Sequence, residues 1–354
     1  MKVERMTKGK QKYEWKWILT VLVGIGIFLL CLFPLRPLLN YHEESHLFRW
    51  TSYYFREQMT SWQGFQEFVV SFIVQFFYVA ALGSFILALL VMAFQRLTWW
   101  LLKKVGRWEW GLYLLSFIPA LCLFFYFFIP KDYWNDEKFR EVVTYNYLER
   151  THQWQSILKL TRSAAPKTEC GIWCTNYALG MTGQLDQMES YPQCGPEGLL
   201  NDALQKPSFA LYSMSDIYFQ LGSVNEAERI AFNAKQYLPN DHKSGRLYRR
   251  LAEANIVNGH YDIAAKYLHF LESTIFYRSF AKRWLSDLGD EAKVDATYAR
   301  VRQFRQKEGR WLTSNAKEVM LLQLVETNED NKLAFNYLVA YRLLRLGYIQ
   351  SDSE

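Results

Sequence analysis

The chain has 354 residues, half of them hydrophobic and 17% aromatic. That composition excludes a disordered or collagen-like polymer and gives length for two or three domains. The net charge of +6 is unevenly placed: residues 1–16 carry six basic side chains against Glu4 and Glu14, whereas residues 131–354 carry 28 of each sign. A C-terminal part without net positive charge excludes a general nucleic-acid binder, which needs many unbalanced cations facing phosphates.

In chain order, a basic tail (1–16) leads into a region, 17–130, with three long apolar stretches: Trp17–Leu35, Phe68–Phe94 and Trp110–Ile129. Each is long enough as a helix to cross about 30 Å of hydrocarbon. No small-x-small cleavage site follows the first, whose end reads Pro34-Leu35-Arg36-Pro37, so it is read as an anchor and not as a cleaved signal. Basic residues fill the tail and the second loop (Arg96, Lys103, Lys104, Arg107), while Arg36, Arg49 and Arg56 of the first loop, 36–67, face Glu43, Glu44, Glu57 and Glu67. This asymmetry predicts a cytoplasmic N-terminus, with the first loop and everything after Pro130 outside. Trp15, Trp17, Trp99, Trp100, Trp108 and Trp110 suit the inner interface, and Trp50, Tyr53, Tyr54, Trp62, Tyr133 and Trp134 the outer one.

The first loop contains His42-Glu43-Glu44-Ser45-His46. On a helix, His42 and His46 would share a face and hold zinc, with Glu43 activating water. Against that, Glu44 puts a charge where such helices are normally uncharged, and Pro34 and Pro37 stand just before. A solvated polar loop is the competing reading. In the second stretch Ala80, Ser84 and Ala88 form a small-residue stripe at spacing four, with Gln75 expected on the same helix and in need of a partner. The stripe suits packing among the three helices or contact with another membrane protein. Pro119 should bend the third stretch. No charged residue lies inside the stretches as bounded here, so an ion or proton relay lacks its usual groups.

After Pro130 the pattern becomes one of amphipathic helices punctuated by glycine. Gly183, Gly222 and Gly259 recur at spacings of 39 and 37, each before or within a turn leading to another helical stretch; a weaker unit surrounds Thr151-His152-Gln153, with Leu148, Trp154 and Ile157. Residues 208–240 resemble a tetratricopeptide repeat, with Leu211, Ser215, Tyr218, Gly222, Ala227, Ala231, Ala234 and Pro239 at the pattern positions. With the three apolar stretches read as transmembrane helices, the resemblance implies an all-α protein in which they precede a tetratricopeptide-like array of helical hairpins over 131–354. The first helix of each hairpin would then line a concave groove. Leu211, Ser215 and Tyr218 occupy packing positions and should be core, and Tyr212, Asp216, Arg249, Arg250 and Glu253 fall between them as candidate partner-binding residues.

The wider order also resembles a family of uncharacterised bacterial multi-pass membrane proteins with tetratricopeptide-like C-terminal domains. It comprises Gln75-Phe76-Phe77-Tyr78 in the second stretch, then Asn176-Tyr177-Ala178-Leu179, Thr182-Gly183-Gln184-Leu185 and Lys243-Ser244-Gly245-Arg246.

Cys31 and Cys122 in the apolar stretches act as small apolar residues. Cys194 joined to Cys170 or Cys174 in a disulfide, and all three reduced, both remain open for the outer domain. The basic run Arg278, Lys282, Arg283, Lys293, Arg300, Arg302, Arg305, Lys307 and Arg310 suits acidic lipid headgroups, or is a solvated face shared with Asp287, Asp290, Glu291 and Asp295. No P-loop, G-x-S-x-G or dinucleotide fingerprint occurs, so no cofactor and no enzymatic activity are expected. The expected role is a scaffold or accessory subunit in the inner membrane of a two-membrane bacterium. It would contact membrane lipid and present a periplasmic domain to another envelope protein, with no nucleic-acid partner. The alternative is a membrane-associated zinc metalloprotease using His42, Glu43 and His46.

Overall fold

The computed structural model describes residues 2–104, 108–201, 208–238, 243–305 and 316–349. Every regular element among them is helical. The chain forms two compact units, residues 1–43 with 55–136 and residues 44–54 with 137–354. In order come α1 (Lys2–Leu32), α2 (Arg36–Ser45), α3 (Ser52–Gln58), α4 (Trp62–Val74), α5 (Ala80–Leu102), α6 (Glu109–Leu115), α7 (Phe117–Phe128) and α8 (Lys131–Asn135). There follow α9 (Glu137–Arg150), α10 (Trp154–Ser163), α11 (Glu169–Met181), α12 (Ser208–Leu221), α13 (Val224–Gln236) and α14 (Gly245–Asn258). The last five are α15 (Tyr261–Glu272), α16 (Arg278–Asp287), α17 (Glu291–Phe304), α18 (Ala316–Thr327) and α19 (Lys332–Arg345).

In the first unit three segments are long and apolar enough to cross a membrane: Trp15–Leu32, Ala80–Leu102 and Glu109–Phe128. The second starts at Ala80 instead of Phe68, because the apolar run breaks at a 3-10 turn over Gln75–Tyr78. Gln75 is therefore not on the helix that carries Ala80, Ser84 and Ala88; its amide donates to the Phe72 carbonyl at 2.8 Å. Continuing to Leu102 brings Arg96 into this segment, a charge that the sequence reading put outside it. Its guanidinium lies 3.7 Å from the centre of the Trp17 ring, a cation–π contact that helps a cation tolerate apolar surroundings. The third segment divides at Ser116. Pro119 has no N–H to offer the Leu115 carbonyl, which accounts for the break.

Helices α1 and α7 both pack on α5. Close approach of α1 rests on Gly24, where a Cβ would come within 2.2 Å of the Met92 sulfur; Ser84 and Ala88 are buried and Ala80 half-buried. Four polar side chains inside the bundle form one hydrogen-bonded set, which lowers the cost of placing them in a low-dielectric interior. Thr20 Oγ1 stands 3.1 Å from Gln95 Oε1 and 2.8 Å from Tyr113 Oη, and Gln95 Nε2 donates to Ser116 Oγ at 2.8 Å. An apolar cavity of about 610 Å³ lies among α4, α5 and α7, lined by Phe65, Val69, Leu90, Phe94 and Phe124 among others.

In the second unit successive helices pair: α12 with α13, α14 with α15, and α18 with α19. The punctuating glycines act as the sequence predicts. At Gly259 (φ +78°) α14 closes with His260 N–H donating to Asn255 O at 2.8 Å and Gly259 N–H to Ile256 O at 3.1 Å. Those two bonds satisfy the orphan carbonyls of the last turn, and the left-handed residue makes them possible. The same pair of bonds recurs at Gly222, from Ser223 N–H to Tyr218 O and from Gly222 N–H to Phe219 O. The weakest sequence unit closes alike without glycine: His152 takes φ +54°, and Gln153 N–H reaches Leu148 O at 2.9 Å. At the other helix ends Ser244 caps α14, Asp290 α17 and Asn331 α19 through side-chain oxygens. Pro239 and Asn240 lie outside the described residues.

One apolar cluster joins α14 to α17: Tyr248, Ala252 and Ile256 with Leu268, Leu271, Tyr277, Ala281, Trp284 and Val294. Leu47, about two hundred residues earlier in sequence, belongs to this same cluster.

Gly222 and Gly259 separate two effects. A Cβ at Gly259 would meet open space, whereas one at Gly222 would lie 2.6 Å from the Phe304 carbonyl oxygen. In thermal or denaturant unfolding of the detergent-solubilised protein, Gly259→Ala should cost about 1–2 kcal/mol for its left-handed backbone. Gly222→Ala should cost a further ~1–3 kcal/mol, because backbone of α17 must also shift. Equal losses would contradict the close approach.

Candidate functional site

Helical spacing collects charge on three faces of the second unit. Asn146, Glu149 and Arg150 lie within one turn of α9, Tyr212 and Asp216 one turn apart on α12, and Arg246, Arg249, Arg250 and Glu253 along one face of α14. Small residues at helix crossings, Ala227 of α13 and Ala252 and Ala254 of α14 among them, are fully buried. The three faces meet around Arg246, whose side chain is only 11% exposed.

Arg246 Nη1 donates to Glu44 Oε1 at 2.7 Å and to Asn146 Oδ1 at 3.1 Å. Its Nη2 donates to Glu149 Oε2 at 2.7 Å and to Asp216 Oδ2. Arg250 completes the Asp216 side, with Nη2 2.5 Å from Oδ1 and Nε 3.0 Å from it. Glu44, whose side chain has no solvent exposure, also receives Arg150 Nη1 at 3.1 Å. Three carboxylates therefore surround three guanidinium groups, the balance that buried charge requires.

The carboxylates are not equivalent. Burial pushes the Glu149 carboxyl up against the pull of Arg246, and Asp216 and Glu44 push further, so that it titrates at about 7. Burial also acts to raise Asp216, but Arg246 and Arg250 overrule it and hold that carboxyl at about 2. Burial works against the charge of both guanidinium groups, and the surrounding carboxylates reverse it, so Arg246 and Arg250 stay firmly protonated.

Residues 44–54 complete the site. Leu47 joins the apolar cluster, the Arg49 guanidinium lies 4.5 Å from the centre of the Phe270 ring, and Trp50 N–H donates to Ser273 O at 2.7 Å. Tyr212 Oη donates to the Glu44 carbonyl at 3.4 Å. Phe48 is buried, edge-on to Trp50 and Tyr54.

Leu211, Ser215 and Tyr218 are buried. Of the candidate binding residues, Tyr212 is as buried as they are, Asp216 and Arg250 pair inside the charged cluster, and Glu253 is buried against Arg249 and Arg250 at 2.9 Å each. Arg249 is the exposed one, at 44%. Sequence reasoning missed Glu44, Asn146, Glu149, Arg150 and Arg246. For Arg246 a signal existed, since it stands one turn before Arg249 and Arg250 on the same face.

The His42–His46 segment does not make the helical metal pair. Helix α2 ends at Ser45, so His46 is beyond it, and His42 Nε2 lies 3.0 Å from the Phe128 carbonyl oxygen. Among the described residues no three His, Cys, Asp or Glu side chains gather as a metal site. Cys170 and Cys174 stand as buried thiols in α11. Its hydrogen bond with Cys170, which favours the protonated form, and burial push the Cys174 thiol well above its ordinary range. In the basic run Lys293 pairs with Asp287 at 2.5 Å, and Arg302 with Glu291 and Asp295 at 2.6 and 2.7 Å; Lys307 and Arg310 lie outside the described residues.

The chain belongs to a family of unknown function, DUF6057, which it matches over residues 12–131 and 126–346. No curated protein and no solved structure matches it.

Glu149 gives the cluster a pH signature. Its folded-state value of about 7 exceeds the ordinary 4.5, so between those values the folded protein holds a proton that the unfolded chain has released. The stability it contributes is full below 4.5 and lost as pH rises through 7. Asp216, lowered from 3.8 to about 2, contributes above 3.8 and loses its share on acidification below that range. Glu149→Gln, which mimics the protonated acid, should flatten the pH dependence of unfolding between 4.5 and 7. An unchanged slope in the variant would contradict the assignment.

Proposed function

We propose that this protein is a membrane-anchored interaction module. Its three apolar helices sit in the inner membrane of a two-membrane bacterium with the N-terminus cytoplasmic. Residues 131–354 form a periplasmic, tetratricopeptide-like set of hairpins that offers a groove to another envelope protein. The distribution of lysine and arginine between the short loops supports this orientation. Paired helices with repeated left-handed closures at His152, Gly222 and Gly259 support the repeat reading. The observation that carries the function is the surface of α12 and α14, where Tyr212 and Arg246, with Asp216 and Arg250 beside them, hold Glu44 at the end of α2, just before the non-helical residues 46–51. A surface that holds polypeptide by charge and apolar contact is suited to binding a peptide.

Arg249 is the position from which to test this, since Arg250 is committed to Asp216 and its loss would disturb the fold. A photo-crosslinking residue in place of Arg249, in full-length protein in cells, should give one discrete adduct that is lost in competition with excess wild-type protein lacking the crosslinker. A reporter active only in the cytoplasm, fused after residue 354, should stay silent. A strong reporter signal would reverse the orientation, and no adduct at Arg249 would remove the groove as the partner site.

A further inference from the structure

Residues 44–48, Glu-Ser-His-Leu-Phe, lie on the groove as a ligand would. The Glu44 carboxylate is received by Arg150 and Arg246 at 3.1 and 2.7 Å. Leu47 enters the cluster of Tyr248, Ala252 and Tyr277. The backbone is held by Tyr212 at the Glu44 carbonyl and by Ser273 at the Trp50 amide. These contacts amount to a recognition pattern: a carboxylate side chain, two intervening residues, then an aliphatic side chain.

We propose that this segment is a resident occupant of a peptide-binding groove, and that the partner presents the same pattern in competition with it. The inference rests on the function proposed above and specifies the partner's chemistry. Two observations favour an exchangeable occupant over a fixed strut. Glu44 Oε2 is buried without a hydrogen-bond partner, an unmet acceptor that works against the resident and that a better-seated carboxylate would satisfy. When Glu44 leaves, Arg246 still has Glu149 and Asp216, while Arg150 loses its carboxylate partner Glu44, so the emptied groove carries a positive excess that attracts an incoming carboxylate. Tethering sets the threshold for exchange. A segment on short connections competes at an effective concentration on the order of mM, so a free peptide of equal intrinsic affinity is largely kept out of the wild-type groove.

The test titrates a fluorescent peptide of residues 41–54 into detergent-solubilised full-length protein. Wild type should bind it weakly. The variant Glu44→Gln with Leu47→Asp, in which the resident is disabled, should bind at least about tenfold more tightly, as removal of a millimolar tethered competitor requires. A peptide carrying the same two substitutions should not bind either protein. If the double variant loses its helical circular-dichroism signal, Glu44→Gln alone, which is nearly isosteric, should bind the peptide more tightly than wild type. Equal binding by folded variant and wild type, or loss of helical signal in both variants, would overturn the proposal and make the segment a fixed part of the domain. Failure here with an adduct at Arg249 leaves the interaction module intact. Success here without that adduct leaves a peptide groove but removes the envelope partner.

Discussion

Arg246 carries a positive charge into the second unit, and the burial of that charge dictates much of what surrounds it. A guanidinium removed from water needs carboxylates in hydrogen-bonding geometry, because an unpaired buried charge costs several kcal/mol or more. The partners come from three separate places: Asp216 from α12, Glu149 from α9 and Glu44 from the last turn of α2. Each carboxylate added to the group raises the cost of the next. Arg150 and Arg250 relieve it on two sides, and Glu149 meets the remainder by titrating near neutrality. Helices α9, α12 and α14 are thereby fixed by specific charge geometry as well as by the small residues between them.

The first unit solves the same problem with neutral groups. Thr20, Gln95, Tyr113 and Ser116 close a hydrogen-bonded set among helices that are otherwise apolar. Hydroxyls and one carboxamide suit a lipid-embedded interior, where an interhelical hydrogen bond contributes about 0.6 to 2 kcal/mol and an unmatched charge is far more expensive. Charge enters near the segment ends, where Lys16 lies 4.4 Å from the centre of the Trp99 ring and 3.3 Å from Glu109.

What was legible in the sequence follows from how local each signal is. Apolar stretches and left-handed turns are decided within a few residues, so three membrane-length helices and the closures at Gly183, Gly222 and Gly259 could be read directly. The start of the second span could not: Gln75-Phe76-Phe77-Tyr78 contains neither proline nor glycine, and composition does not mark a 3-10 turn inside an apolar run. The charged cluster was illegible for a different reason. Glu44 sits in a string that suggests zinc, yet its partners Arg150 and Arg246 are 106 and 202 residues away. No periodicity announces such a pairing. The same blindness made Tyr212, Asp216 and Glu253 read as exposed groove residues: Tyr212 meets the distant Glu44, Asp216 is held by Arg246 and Arg250 of another helix, and Glu253 is buried against Arg249 and Arg250.

Hydrogen–deuterium exchange of the full-length protein tests the central claim most directly, because residues 46–51 belong to no helix and would otherwise exchange as a loop. With Glu44 on Arg246 and Leu47 in the core, the Trp50 amide and its neighbours should be protected at least about 100-fold over unstructured peptide, and Glu44→Gln should erode that protection while α14 keeps its own. Exchange of residues 46–51 at unstructured rates in the wild-type protein would contradict the account.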